Sequence, residues 1–246
     1  MQVVVDGLPV SYTEKNPKSK KTLIILHGWA HHSALWQNLI DNLETKDRII
    51  ALDLPGFGNT PLYPQTAGVK EYSEFVFHFI QKQKIKNPII LGHSFGGQIA
   101  IRYALDHGNH LDSLILVSPA GVRLRSQKTK LMIFLSKQIN NIKLVLPRPL
   151  LKRLIRIFTS NDYLDAAQEY KEILKLILDD DYSPRLKDIS APTHIIWGDG
   201  DMEIAYNGKL MHEQIPNSTL DVMYGADHNP HLKKATELAA IMSKYL

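Results

Sequence analysis

The chain has 246 residues, enough for one large domain or for one domain carrying an insertion. Hydrophobic residues make up 44% and charged residues 22%, so a sizeable core is expected. There is no cysteine, which excludes disulfides, zinc–thiolate centres and a thiol nucleophile, and a net charge of +4 does not by itself point to nucleic acid.

The opening Met1-Gln2-Val3-Val4-Val5-Asp6-Gly7 lacks the basic start and apolar stretch of a secretory signal. No uninterrupted apolar run approaches the ~18 residues needed to span a bilayer. With the absence of cysteine, the expectation is a cytoplasmic protein with no stable membrane insertion. Val3–Val5 and Leu8–Tyr12 flank Asp6-Gly7 and predict a β-hairpin.

Apolar runs then alternate with segments long enough for helices. The runs are Leu23–Leu26, Ile49–Leu52, Ile89–Leu91, Leu114–Val117 and His194–Trp197. The helical segments include Ser33–Leu43, Tyr72–Gln83 and Gly97–Asp106. Continuous Ile/Leu/Val runs suit parallel strands buried on both faces, and the alternation predicts a doubly wound, mostly parallel α/β sheet.

The first strand ends in His27-Gly28-Trp29. A tight turn there suits a backbone amide aimed at a substrate oxygen, with His27 bracing the loop by hydrogen bonds. The third run leads into Gly92-His93-Ser94-Phe95-Gly96-Gly97, a Gly-x-Ser-x-Gly pattern between strand and helix. Such an elbow lifts a serine hydroxyl above the strand ends, and its glycines let the helix cross the strand closely. Ser94 is the candidate nucleophile, and the amides of Trp29 and Phe95 are the candidate oxyanion donors. His93 is expected to pack behind the elbow. Neither the Gly-x-Gly-x-x-Gly nor the Gly-x4-Gly-Lys-Ser/Thr pattern occurs at this turn, so nucleotide binding is not expected.

Between about Arg123 and Lys187 the rhythm breaks into successive helical patterns, Ser126–Leu146, Arg148–Phe158 and Asp162–Leu178. The boundaries predict a core over 1–121, a helical insertion over 122–187 and the rest of the core over 188–246. From Gly121 to Ser160 there are ten basic residues and no acid, whereas Asp162 to Asp181 carries seven acids. Interleaved Leu, Ile, Phe and Met make the basic part amphipathic. The plain reading is an apolar face over a cleft with charges to water. The other reading is a surface for acidic substrates or anionic lipid. Leu131, Phe134, Leu135, Leu151 and Phe158 are candidate lining residues, and an apolar lining favours acyl esters.

A serine hydroxyl needs a base, and the base needs an orienting carboxylate. Asp199, Asp201 and Glu203 follow the strand His194–Trp197. Asp201, three residues after Gly198, is preferred. Asp199 is its competitor, with a turn-bracing role as the alternative. The base candidate is His228, which follows the predicted strand Thr219–Met223 and precedes the final helix Lys233–Tyr245. His231 is its main competitor. His228 with His231, or His31 with His32, can be imagined on a metal, but no third ligand stands at a fixed spacing, so no metal is expected.

These landmarks together resemble the α/β-hydrolase superfamily, in its branch with a helical cap. They are His27-Gly28-Trp29, Asp53-Leu54-Pro55-Gly56-Phe57-Gly58, the elbow around Ser94, Trp197-Gly198-Asp199-Gly200-Asp201 and Gly225-Ala226-Asp227-His228. The resemblance implies Ser94 as nucleophile, Asp201 as acid and His228 as base, no cofactor, and a structural turn at Asp53–Gly58. Many relatives have Gly where this chain has Asp227, which adds a carboxylate beside His228. A Ser nucleophile argues against the haloalkane dehalogenase and epoxide hydrolase relatives, which use a carboxylate. The expected activity is hydrolysis of small-molecule carboxylic esters of short- to medium-chain acyl groups through an acyl-enzyme. The rivals are carbon–carbon, lactone or amide hydrolysis or acyl transfer at the same triad, and a non-catalytic ligand receptor. No nucleic-acid partner is expected, and the oligomeric state is left open.

Overall fold

The computed structural model describes residues 1–63, 66–123, 168–204 and 206–246. Strands β1 (Gln2–Val5) and β2 (Leu8–Lys15) form the expected hairpin. Its turn places Asp6 and Gly7 at φ 51° and 81°, a double left-handed turn that matches the strand twist. Next come β3 (Thr22–Leu26), α1 (Gln37–Asn42), β4 (Arg48–Leu52), α2 (Val69–Lys82), β5 (Ile89–His93), α3 (Phe95–His107) and β6 (Ser113–Val117). They are followed by α4 (Gln168–Asp179), β7 (Thr193–Gly198), α5 (Gly208–Gln214), β8 (Ser218–Met223), α6 (Pro230–Lys233) and α7 (Ala235–Met242).

The eight strands make one sheet in the order β1-β2-β4-β3-β5-β6-β7-β8. Only the β1–β2 and β2–β4 pairs are antiparallel. Alternate residues of each central strand enter opposite cores. Ile24, Leu26, Ile50, Ile90 and Leu116 pack on the side of α2 and α3, where Phe75, Phe79, Ile99 and Tyr103 cover them. Leu23, Ile25, Ile49, Leu91 and Ile115 pack with Trp36, Leu39, Leu238 and Met242 on the side of α1 and α7. Both faces are therefore covered, which is why these strands read as unbroken apolar runs.

The chain leaves β3 toward β4 on one side and takes β5 on the other. That reversal opens a crevice beyond the carboxyl ends of β3 and β5, where open α/β sheets place their ligands. The residues that follow these strands are His27-Gly28-Trp29 and Ser94.

Three helices differ from expectation. Ser33–Leu43 is a 3-10 turn over Ser33–Trp36 that leads into α1. The final helix is broken at Lys234, whose backbone leaves the helical region at φ −133° and ψ 40°. Helix α5 was not expected; it has seven residues, of which only Gly208 and Met211 are buried. Of the expected insertion, α4 falls within the Asp162–Leu178 segment but runs one residue past its end. The expected helices Ser126–Leu146 and Arg148–Phe158 and all five candidate lining residues lie outside the described residues. Among the described residues, no helix is long and apolar enough to cross a membrane.

Candidate active site

The elbow is built from close backbone packing. Ser94 sits at φ 52° and ψ −116°, outside the regions a side-chain-bearing residue ordinarily occupies. The surroundings enforce this conformation. The Ser94 amide donates to Val117 O at 3.3 Å, and its carbonyl accepts from Gln98 N and Ala120 N at 3.0 and 2.9 Å. A Cβ on Gly96 would fall inside the carbonyl of Leu26, and one on Gly97 would come to 2.6 Å from Pro119 Cβ. The Gly96 amide instead donates to His27 O at 3.1 Å, which ties the elbow to the end of β3.

The turn after β3 is braced in the way expected of His27. Its Nδ1–H donates to Gly28 O at 2.7 Å, and its Nε2 accepts from Leu54 N at 3.0 Å. Complete burial pushes the His27 pKa down to about 4, so the ring is neutral at pH 7 with one donor and one acceptor nitrogen. Asp53, also buried, spans the neighbouring turn: Oδ1 accepts from Ser33 N at 2.7 Å and Oδ2 from Asn59 N at 2.9 Å.

The amides of Trp29 and Phe95 have no acceptor among the described residues. Phe95 is the first residue of α3, where an amide has no intrahelical partner. The Trp29 ring stands edge-on to Phe57, Phe95 and Tyr170 at 5.1, 5.7 and 6.1 Å. Tyr170 in α4 donates its hydroxyl to Gly56 O at 2.5 Å, so α4 seats on this turn. A cavity of about 350 Å³ opens here, lined by Trp29, His31, His32, Phe57 and Tyr170 among others. A larger hollow of about 570 Å³, walled by Lys84, Ile85, Tyr103 and His110, lies at the opposite end of β5 and faces none of these groups.

Asp201 and His228 meet although 27 residues separate them: His228 Nδ1–H donates to Asp201 Oδ2 at 2.8 Å. Asp201 Oδ1 accepts from the amides of Glu203 and Ile204, each at 3.0 Å. Burial alone raises the Asp201 pKa, but the hydrogen bond from His228 and those two amides outweigh it and hold the carboxyl below its ordinary range. Asp199 is elsewhere engaged, accepting from Gly225 N at 2.6 Å. Gly225 has φ 64°, so Asp199 braces a left-handed turn after β8. The His228 ring packs on His93, the residue before Ser94, with ring centroids 4.9 Å apart.

His93 packs behind the elbow as expected. Its Nδ1–H donates to Val117 O at 3.0 Å, and Asn229 Oδ1 lies 3.2 Å from its Nε2. Burial, reinforced by the nearby His228, pushes the His93 pKa down to about 3. His231 does not reach Asp201. It is fully buried and stacked on Trp36, centroids 4.1 Å apart and planes 7° from parallel. Sequence reasoning did not single out Asn229 or Tyr170. Their positions depend on contacts across 136 and 114 residues, for which a single chain gives no local signal.

The profile of the Alpha/beta hydrolase family matches residues 23–241, and the chain belongs to this family. It is 28% identical to the uncharacterized hydrolase YugF of Bacillus subtilis (strain 168), over 93% of this chain and 89% of that protein. It is 23% identical to monoacylglycerol lipase abhd6-B of Xenopus laevis, over 96% of this chain and 78% of that protein. Among solved structures, the esterase EaEST from Exiguobacterium antarcticum aligns with a TM-score of 0.75 at 23% identity, covering 100% of this chain and 98% of that one.

Proposed function

We propose that this α/β hydrolase cleaves carboxylic esters of short- to medium-chain acyl groups through an acyl-enzyme, with Ser94 as nucleophile, His228 as base and Asp201 as the orienting acid. The reading rests above all on the 2.8 Å bond between His228 Nδ1 and Asp201 Oδ2, formed beside the residue that precedes Ser94. Because Nδ1 carries the proton toward the carboxylate, Nε2 is the nitrogen with a lone pair, the form required of a base.

In this mechanism Ser94 Oγ attacks the ester carbonyl and His228 takes its proton. The carbonyl oxygen becomes an oxyanion between the amides of Trp29 and Phe95, whose lack of an acceptor among the described residues suits that role. His228 then protonates the leaving alkoxide. A water, deprotonated by His228, attacks the acyl-enzyme, releases the carboxylic acid and restores the Ser94 hydroxyl. The cavity beside Trp29 provides aromatic walls for one part of the substrate. We further propose that 122–187 acts as a cap, of which α4 contributes the Tyr170 contact.

Two measurements test this reading. A fluorophosphonate probe should label the wild-type chain at Ser94 and leave Ser94→Ala unlabelled. A panel of p-nitrophenyl esters of graded chain length, run beside ring-cleavage products, should show ester turnover that falls by roughly four or more orders of magnitude in Ser94→Ala while the fold persists. Labelling of Ser94 with turnover confined to ring-cleavage products would keep the triad and replace the ester assignment. An unlabelled Ser94 would remove both.

A further inference from the structure

His31, His93 and His231 come from three separate parts of the chain, yet one imidazole nitrogen from each lies within 4.8 Å of the others. None of the three belongs to the Asp201–His228 pair. His231 makes the arrangement unusual. It is 0% exposed, and among the described residues neither Nδ1 nor Nε2 has a hydrogen-bond partner. Buried polar groups are nearly always satisfied, so two unpartnered nitrogens on one interior ring call for a ligand. Its stack on Trp36 sets the plane of the ring.

His93 is oriented in the manner of a metal ligand. With Nδ1–H donated to the Val117 carbonyl at 3.0 Å, Nε2 keeps a lone pair and faces a second acceptor, Asn229 Oδ1, at 3.2 Å, an opposition that a cation bound to both would relieve. Ligating histidines characteristically anchor their other nitrogen on a carbonyl or carboxylate in this way. That Asn229 oxygen stands at the edge of the same space. His31 follows the turn whose Gly28 O accepts the His31 amide at 3.2 Å, and it is only partly buried, which gives the cluster an approach from solvent.

We propose that His31, His93 and His231 form a binding site for a borderline divalent transition-metal ion of the zinc, cobalt, nickel or copper type. Three neutral imidazoles with no carboxylate or thiolate select such ions over magnesium or calcium. The size is suitable. For three nitrogens no more than 4.8 Å apart, some point lies within about 2.8 Å of all of them, so bonds of ~2.0–2.1 Å require each ring to move in by less than about 1 Å. Three protein ligands leave a fourth position for water or for the Asn229 amide oxygen. The site shares no ligand with the hydrolytic assignment, since none of its ligands is Ser94, Asp201 or His228, although His93 packs on His228.

The test uses the full chain after chelator dialysis, with Co2+ followed by visible absorption and Zn2+ by calorimetry. The expected result is one equivalent bound per chain, with the d–d bands of a low-coordinate cobalt–imidazole centre. His31→Gln, at the partly exposed ligand, should weaken binding by about tenfold or more without altering the core. His231→Phe keeps the stack on Trp36 and should do the same. His107→Gln, beside the second surface histidine His110, should leave affinity unchanged. Failure of the wild-type chain to bind either ion overturns the site. So does undiminished binding by His31→Gln, or a loss in His107→Gln as large as that in His31→Gln.

Discussion

The two halves of the candidate site are held by different physics. On the Ser94 half, backbone packs directly on backbone. Gly96 lies against the Leu26 carbonyl, Gly97 against Pro119, and Ser94 is driven to φ 52° with two amides on its carbonyl. On the Asp201–His228 half, two loops after β7 and β8 are joined by hydrogen bonds: His228 to Asp201, Gly225 N to Asp199, and Gly200 N to Ala226 O at 3.0 Å. The first half is specified by volume, the second by the chemistry of its acceptors. Substitutions that change size should damage the first, and isosteric substitutions that change charge should damage the second.

The sharpest use of that contrast compares two acids two residues apart. Asp201→Asn keeps the shape of the loop but removes the ionised acceptor for His228 Nδ1–H and permits the wrong tautomer. A fall in kcat of about 10⁴-fold is expected, with little change in KM or in urea midpoint. Asp199→Asn can still accept from Gly225 N and should stay within about tenfold of wild type, since a turn-bracing bond is worth only about 1 kcal/mol. Steady-state kinetics on one ester decide the matter, and the reverse ranking would exchange the two roles.

The same contrast explains how much of this was legible in the sequence. The elbow occupies six consecutive residues, 92–97, and its packing demands glycine at fixed places, so a local pattern announces it. Strands buried on both faces left equally local marks. The acid was readable only as a choice among Asp199, Asp201 and Glu203, because what separates them is which one faces a histidine 27 residues on. Helix α5 escaped because seven residues with a single large buried side chain, Met211, carry no 3.6-residue period. The His31, His93 and His231 cluster was unreadable for a different reason. The sequence offers adjacent pairs such as His31-His32, whereas the fold draws one histidine from the turn after β3, one from the end of β5 and one from α6.

Gly96→Ala tests the volume side. The added methyl has no room against the Leu26 carbonyl, and the obstacle is backbone, which cannot rotate away as a side chain can. A loss of about 3 kcal/mol or more in urea denaturation is expected, at the upper end for overpacking. Gly225→Ala, at a positive-φ turn with no neighbour closer than Lys234 Nζ at 3.9 Å, should cost only about 1 kcal/mol. Equal losses at the two glycines would mean that conformational strain, not close packing, governs the elbow.

His27 makes the Ser94 half sensitive to pH. Its folded pKa of about 4 lies below the ordinary histidine value of 6.5, so between these values the unfolded chain binds a proton that the folded chain refuses. Stability therefore falls as pH drops through that window, by an amount on the order of 3 kcal/mol, and the loss levels off below about pH 4. His27→Gln should be less stable at pH 7, because the bonds to Gly28 and Leu54 are disturbed, but should lose less on acidification. Urea midpoints of both proteins from pH 7 to pH 4 measure the difference. Parallel curves would show that His27 is not held neutral by the fold.

Asp227 should give the smallest effect, although it adjoins His228 directly. Its carboxylate is ion-paired with Lys233, and its Oδ1 accepts from Asn229 N at 3.0 Å. Chiefly through Lys233, its pKa is held below the ordinary carboxylate range, so it is charged at neutral pH. Lys233 is well exposed and Asp227 borders on exposed, so water and salt screen the pair and its charge reaches His228 much reduced. Asp227→Asn should change stability by less than about 1 kcal/mol and kcat/KM by less than about fivefold, with the difference shrinking further at high salt. Adjacency in sequence would then count for less than the bond that His228 donates to the distant, buried Asp201. A loss in Asp227→Asn matching that of Asp201→Asn would reverse this ordering and make the exposed carboxylate the one that orients the imidazole.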